Sequence, residues 1–289
     1  MKSDHKGARR LKISRQLLSA GLVLYVLLCT ACASFQRRLI YFPPKYGSDQ
    51  VDAFARSSGL ERWRDSAGRA IGMWRPSAQR PAEGRILIVY GNGSCATACA
   101  HYADVIQRVA PFDVYILEYP GYADRPGSPS ERNLFHAAGE AFQMLAASGP
   151  VYVVGESLGT GVAAYLAGSY PDRVAGIALL GAYNRLTDVA QVHMPFLPVH
   201  LLLVDRFPSE DYLRHFRGPV AVLVAGRDRV VPEKFGRRLY DKYDGPKRLW
   251  DFPLDDHDTL MMRSPAVWDQ VIQFLLLANR GQFSSNEKL

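Results

Sequence analysis

From about residue 85 the chain alternates short apolar runs with longer stretches in which apolar residues recur at helical spacing. The runs cover 85–90, 113–119, 151–154, 174–180, 220–225 and 247–252. Most are unbroken in Val, Ile and Leu instead of alternating with polar residues, the pattern of strands buried on both faces of a parallel sheet. Helices are predicted between them over about 95–110, 131–148, 158–169, 233–243 and 264–279. Pro232 and Pro265 stand near the starts of the last two, where a missing N–H costs nothing, and Ser130 is placed to cap the 131–148 helix. The alternation predicts an α/β chain with a doubly wound, mostly parallel sheet and helices on both faces. Such sheets carry their chemistry beyond the carboxyl ends of the strands.

Two segments break the pattern. Residues 182–216 separate two strands yet include Met194-Pro195-Phe196-Leu197-Pro198-Val199-His200-Leu201-Leu202-Leu203-Val204, too apolar for a solvated loop. Two readings are open: a cap over the upper edge of the sheet that helps form a pocket, or a packed helical connection. At the other extreme, residues 1–33 have the parts of an export signal. A basic stretch from Lys2 to Arg15 precedes an apolar one from Leu17 to Cys29, and Thr30-Ala31-Cys32-Ala33-Ser34 follows. The apolar stretch is short for a membrane span, which wants about 20 residues. Cys32 resembles the lipid-acceptor cysteine of bacterial lipoproteins, although Cys29 stands where those signals usually carry Leu. Lipidation at Cys32, an uncleaved anchor and cleavage near Ala33 are the three readings. Each attaches or exports the chain and places one domain over residues 34–289.

Charge and cysteine content narrow the possibilities further. The formal charge of +7 resides mostly in the leader, whose six bases and one acid leave 29 bases against 27 acids in the rest. No basic stripe with interleaved aromatics appears, so nucleic acid is not an expected partner. The 4 cysteines are too few for a disulfide framework in 289 residues. Cys29 and Cys32 belong to the leader, while Cys95 and Cys99 read as two buried small thiols in preference to a strained bridge. No second Cys/His pair stands at metal-ligand spacing, and no metal or organic cofactor is implied.

The strongest chemical signal is Gly155-Glu156-Ser157-Leu158-Gly159, which follows the 151–154 run and opens the small-residue helix Thr160-Gly161-Val162-Ala163-Ala164. This is the strand–turn–helix setting of a nucleophile elbow. The tight turn lifts the Ser157 hydroxyl above the sheet, and glycines are required where the strand and helix converge. A serine at its ordinary pKa needs an adjacent base. His257, in the polar turn after the last run, is placed to be that base. Asp228, after the 220–225 run, is placed to orient it, with Asp256 and Asp205 as weaker alternatives. Ser, Asp, His is the chain order expected of this architecture. His193, His200 and His215 fall in the cap-like segment as surface or packing residues, His200 being the one able to line a pocket. An oxyanion formed during attack needs two preorganised N–H donors. Leu158 is one candidate. The other lies in Gly91-Asn92-Gly93-Ser94, where Asn92 and Gly93 both qualify. The pattern predicts hydrolysis of an ester or thioester through an acyl-enzyme. A degenerate, membrane-tethered scaffold and a serine peptidase are the rival readings.

These residues together resemble the BEM46-like branch of the α/β hydrolases, of the ABHD13–ABHD17 type, over the region from about Phe35 to the C-terminus. Its bacterial members resemble membrane-attached proteins that begin much as Phe35-Gln36-Arg37-Arg38-Leu39-Ile40-Tyr41-Phe42-Pro43 does here. The motifs that carry the resemblance are Gly91-Asn92-Gly93, Glu118-Tyr119-Pro120-Gly121-Tyr122, Gly127-Ser128-Pro129-Ser130-Glu131, the Ser157 elbow, Asp228-Arg229-Val230-Val231-Pro232 and His257-Asp258. The resemblance implies an α/β-hydrolase fold, the trio Ser157, Asp228 and His257, and a small-molecule or lipid-like acyl ester or thioester as substrate. Two positions depart from the family pattern: Tyr90 stands where His is usual, and Pro120 where Arg is usual.

Overall fold

The structure, a computed structural model, describes residues 3–279, with side chains from residue 15 onward. Eight strands form one sheet in the order β1-β2-β4-β3-β5-β6-β7-β8. They are β1 Glu61–Arg64, β2 Ala70–Arg75, β3 Gly84–Val89, β4 Phe112–Leu117, β5 Val151–Glu156, β6 Val174–Leu180, β7 Val220–Ala225 and β8 Lys247–Phe252. From β4 to β8 every neighbouring pair is parallel. The antiparallel strands β1 and β2 extend one edge and lie ahead of the readable alternation. Strands β6 and β7 are buried along their whole length, which is why their sequences are unbroken in apolar residues.

The core helices follow the predicted order: α3 Ala100–Val109, α4 Glu131–Ala146, α5 Leu158–Ser169, α9 Glu233–Lys242 and α11 Pro265–Asn279. A short 3-10 turn, Thr97–Cys99, opens α3. Helix α3 packs on α11, while α4 packs on α5. The Ser130 hydroxyl accepts from the Asn133 N–H at 3.1 Å and supplies the expected cap of α4. Helix α2, Ser48–Ser57, packs against β1. Cys95 and Cys99 are buried free thiols, each beside a hydroxyl, Thr97 and Ser94 respectively, at 3.4 Å.

Residues 182–216 serve as both a cap and a packed connection. Helices α6 Leu186–His193 and α7 Val199–Leu202 overhang the sheet, whereas α8 Ser209–Leu213 returns to pack on α5 with Phe207, Leu213 and Phe216 buried. The first helix, α1, runs unbroken from Ser3 to Ile40, past the boundary expected at residue 33. Its Arg15–Ile40 stretch, which holds an 18-residue segment of mean hydropathy 2.1, is long and apolar enough to cross a membrane, longer than the 17–29 run had suggested. The C-terminal part of α1 docks on the cap. Gln36 donates to Leu202 O at 3.2 Å and accepts from the Val204 N–H at 2.7 Å. Arg37 and the Tyr41 hydroxyl both reach the buried Asp205 carboxylate, at 3.2 and 2.9 Å.

The sheet brings its chemistry-bearing loops to one end. Strand order changes direction at β3, which lies between β4 and β5, and a crevice opens there beyond the strand ends. Register pairs Val89 with Gly155, so the loops after β3 and β5 emerge side by side. Helix α5 must then approach β3 very closely: a Cβ on Gly159 would lie 1.9 Å from the Val89 carbonyl oxygen. Gly159→Ala is therefore expected to destabilise the fold by about 3 kcal/mol, the upper range for overpacking a core. A lowered urea midpoint at unchanged slope would report it, and an unchanged midpoint would refute the close approach.

Candidate active site

Ser157 joins β5 to α5 in a single residue at φ 49° and ψ −116°, a conformation rarely adopted by a side-chain-bearing residue. The surroundings hold it there. Its N–H donates to Leu180 O at 2.8 Å, and its carbonyl accepts from the Thr160 N–H at 2.9 Å. Gly155 completes the turn, since a Cβ there would lie 2.8 Å from the Gly159 carbonyl oxygen.

His257 and Asp228 converge on this serine from the ends of β8 and β7. The short helix α10, His257–Met261, begins at His257 and is capped by Asp256, whose carboxylate accepts from the Thr259 N–H at 2.9 Å and the Thr259 hydroxyl at 2.8 Å. That cap occupies Asp256, and Asp205 is bound to Arg37 and Tyr41, so neither alternative acid faces the histidine. Asp228 does. Its Oδ2 lies 2.6 Å from His257 Nδ1, while Oδ1 accepts from the Val230 and Val231 N–H groups at 2.8 and 2.7 Å. With its side chain 1% exposed, the carboxylate has its geometry set by these neighbours and not by solvent. On the far side of the ring, His257 Nε2 stands 3.0 Å from Ser157 Oγ. An imidazole bonded in this way to a carboxylate can accept a proton from the hydroxyl opposite.

The two predicted oxyanion-loop positions differ in their surroundings. The Gly93 N–H is committed to the Asn92 side-chain oxygen at 3.0 Å. That same oxygen accepts from the Phe42 N–H and the Tyr122 hydroxyl, each at 2.9 Å, and Asn92 Nδ2 donates to Ile40 O. Asn92 is therefore fixed from three directions, and it lines the cavity above Ser157 together with Leu158. Gly93 does not. Leu158 is the first residue of α5, where an N–H has no acceptor within the helix.

The cavity itself has a volume of about 370 Å³, within the range of small-ligand sites. Cap residues Leu186, Val189, Leu197 and Leu202 form one wall, and Val230 and Val231 contribute beside the histidine. A wall that sequence reasoning missed comes from Cys32, Ala33, Gln36, Leu39, Ile40 and Phe42. His193 lines this cavity, with Nε2 2.9 Å from Val230 O. His200, the cap histidine read as able to line a pocket, faces Asp188 at 3.6 Å in a separate polar recess. Among the described residues no group of three or more His, Cys, Asp or Glu is arranged to hold a metal ion.

Tyr90, which stands where the resembled branch usually carries His, is fully buried behind the Gly91-Asn92-Gly93 loop. Its hydroxyl donates to the Glu118 carboxylate, which also accepts the Ala96 N–H at 3.0 Å, and it accepts the Tyr119 N–H at 3.2 Å. Tyr119 in turn donates to Tyr90 O at 2.8 Å. Tyr90 and Glu118 thus tie strands β3 and β4 together beneath Asn92. Burial raises the Glu118 carboxyl to about 7, against a smaller opposing pull from the Tyr90 and Ala96 donors.

The geometry describes a serine–histidine–aspartate arrangement at the carboxyl edge of a doubly wound sheet, beneath a helical cap. Comparison with known proteins agrees with that class. Residues 84–211 match the family described as alpha/beta hydrolase fold. The uncharacterized protein Rv2307c of Mycobacterium tuberculosis is 30% identical over 269 residues, spanning 90% of this chain and 92% of that protein. The chain belongs to the α/β-hydrolase fold family. Lysophosphatidylserine lipase ABHD12 of Danio rerio is 29% identical over 201 residues, 59% of this chain and 52% of that protein, so the match spans about half of the lipase. The Pyrococcus furiosus esterase Pf2001 shares the fold at a TM-score of 0.59 and 13% identity, over 82% of this chain and 96% of its own.

Glu118 gives the loop support a pH signature. The native chain retains a proton that the unfolded chain releases near the ordinary glutamate value of 4.5. Its contribution to stability is therefore greatest below that value and is lost as pH rises to about 7. Tyr90→Phe, which removes a donor to the ionised form, is expected to cost about 2 kcal/mol at pH 8 and about 1 kcal/mol at pH 5. Urea titrations at the two pH values would show the difference, and Glu118→Gln should remove it. Equal costs at both values would refute the assignment.

Proposed function

We propose that the protein is a membrane-attached serine hydrolase that cleaves carboxylic ester or thioester bonds of acyl lipids. The observation that carries the reading is the continuous set of bonds from Asp228 through His257 to Ser157 at the floor of an apolar cavity. Ser157 Oγ attacks the acyl carbonyl as His257 Nε2 takes its proton, and Asp228 holds Nδ1–H so that the imidazolium is stabilised. The N–H groups of Leu158 and Asn92 receive the oxyanion. His257 passes the proton to the departing alcohol or thiol. It then deprotonates a water that attacks the acyl-enzyme, releasing the acid and restoring the serine. An apolar cavity suits an acyl chain better than a peptide, and the curated relative ABHD12 is a lipase. The motifs shared with the BEM46-like branch support the same reading.

Attachment through α1 is part of the proposal. Five bases precede the span and Arg15 begins it, whereas two, Arg37 and Arg38, lie in its last turn. That asymmetry favours a cytoplasmic N-terminus and an exported domain. Retention of the helix, in preference to cleavage at Cys32 or Ala33, is supported by the Tyr25 hydroxyl, which donates to Phe196 O at 3.0 Å.

Labelling of the purified protein by a fluorophosphonate probe tests the chemistry. Ser157→Ala should abolish labelling and His257→Ala should reduce it sharply. Asp228→Asn, which favours the wrong tautomer, should lower turnover of an acyl ester on the order of 10³–10⁴-fold. A folded wild-type protein that resists the probe would sink the reading in favour of a tethered scaffold.

A further inference from the structure

The cap carries two sets of apolar side chains with opposite directions. Leu197, Leu202 and Leu203 line the cavity. Their neighbours Phe196, Leu201 and Val204 point outward and are 87%, 82% and 64% exposed. Three other residues, Leu39, Phe42 and Met194, both line the cavity and remain exposed, so its rim is apolar as well. A patch of this kind is costly against water and marks a surface that meets something apolar.

The position of the patch identifies that partner. Phe196 lies against Tyr25, inside the apolar stretch of a helix long enough to cross a membrane, none of whose most apolar window is buried by the protein. The patch meets the helix at that contact and again where the Val204 N–H donates to Gln36. At the base of α1 the basic residues Arg37 and Arg38 stand where an apolar face would give way to lipid headgroups. Arg37 also holds Asp205, at the start of the cap's return to the core, so helix base and cap share an anchor. We infer that the tip of the cap, Phe196, Leu201 and Val204, is seated in the lipid bilayer that holds α1, and that the cavity rim opens into it. A membrane lipid's acyl chain then slides from bilayer to cavity along an apolar path, and its carbonyl reaches Ser157 without the chain crossing water. The inference rests on the hydrolase reading for its substrate but not for its surface.

Full-length protein in proteoliposomes separates the two. Phe196→Trp places a fluorophore at the tip, and phosphatidylcholine brominated on its acyl chains should quench the emission it adds to the parent protein. Absence of quenching would overturn the seating of the cap, including the case in which a second copy of the chain covers the patch. Phe196→Asp/Leu201→Asp alters neither the cavity lining nor the serine. In that variant, hydrolysis of an acyl lipid carried in the same bilayer should fall by about tenfold or more, the factor expected from losing the burial of one large apolar side chain. Fluorophosphonate labelling and turnover of a water-soluble short-chain ester should stay within about twofold of the parent, well under the factor a lost apolar contact would give. Unchanged lipid hydrolysis, or an equal fall on both substrates, would refute delivery from the bilayer. A wild type that resists the fluorophosphonate, alongside a Phe196→Trp variant that is still quenched, would refute the hydrolase reading alone.

Discussion

Strand β5 has to become helix α5 within one residue, and α5 presses so closely on β5 and on β3 that neither Gly155 nor Gly159 has room for a Cβ. Much of the site depends on that constraint. It forces Ser157 to a positive φ, projects its hydroxyl beyond the sheet and leaves the Leu158 N–H at the open start of a helix. Because β3 and β5 are register-paired, the same approach sets the Asn92 loop beside the serine. The strain at Ser157 persists because backbone bonds to Leu180 and Thr160 and the packing of two glycines over-determine it.

Much of this was legible in the sequence because it is local. Strands β6 and β7 begin and end at the predicted residues, since full burial leaves unbroken apolar runs and the polar turns beyond them are abrupt; β8 does so too, although only Trp250 in it is buried. Helix α5 was equally plain. By contrast, β1 reads Glu-Arg-Trp-Arg, an edge strand with one buried residue, and carries no period strong enough to see. Of the residues around the serine, the elbow and the two loops bearing Asp228 and His257 follow strand ends, where the fold rule points. The choice between Asn92 and Gly93 was not readable. The difference in their surroundings lies in the Asn92 side chain, held by Ile40, Phe42 and Tyr122, partners 30 to 52 residues away.

Tyr90 shows how a departure from a family pattern can be absorbed. A Tyr in place of a usual His leaves Ser157, Asp228 and His257 in place but changes what lies beneath the Gly91-Asn92-Gly93 loop. In the fold its hydroxyl meets the buried Glu118, which also holds the N–H of Ala96 just past the oxyanion loop. The position under the loop is thus filled by a hydrogen-bonded pair that bridges two strands, and Ser157, His257 and Asp228 still meet above it.

The wall of the cavity that comes from α1 has a consequence for how the molecule is assembled. Its bonds to the cap join residues 164 to 171 positions apart, between Tyr41 and Asp205 or Tyr25 and Phe196. Loop closure over such separations is slow relative to the pairing of neighbouring βα units. The sheet and its serine elbow can therefore form well before the pocket has all of its sides. A chain whose first forty residues were held elsewhere would keep Ser157, His257 and Asp228 together yet lack one wall of the cavity above them.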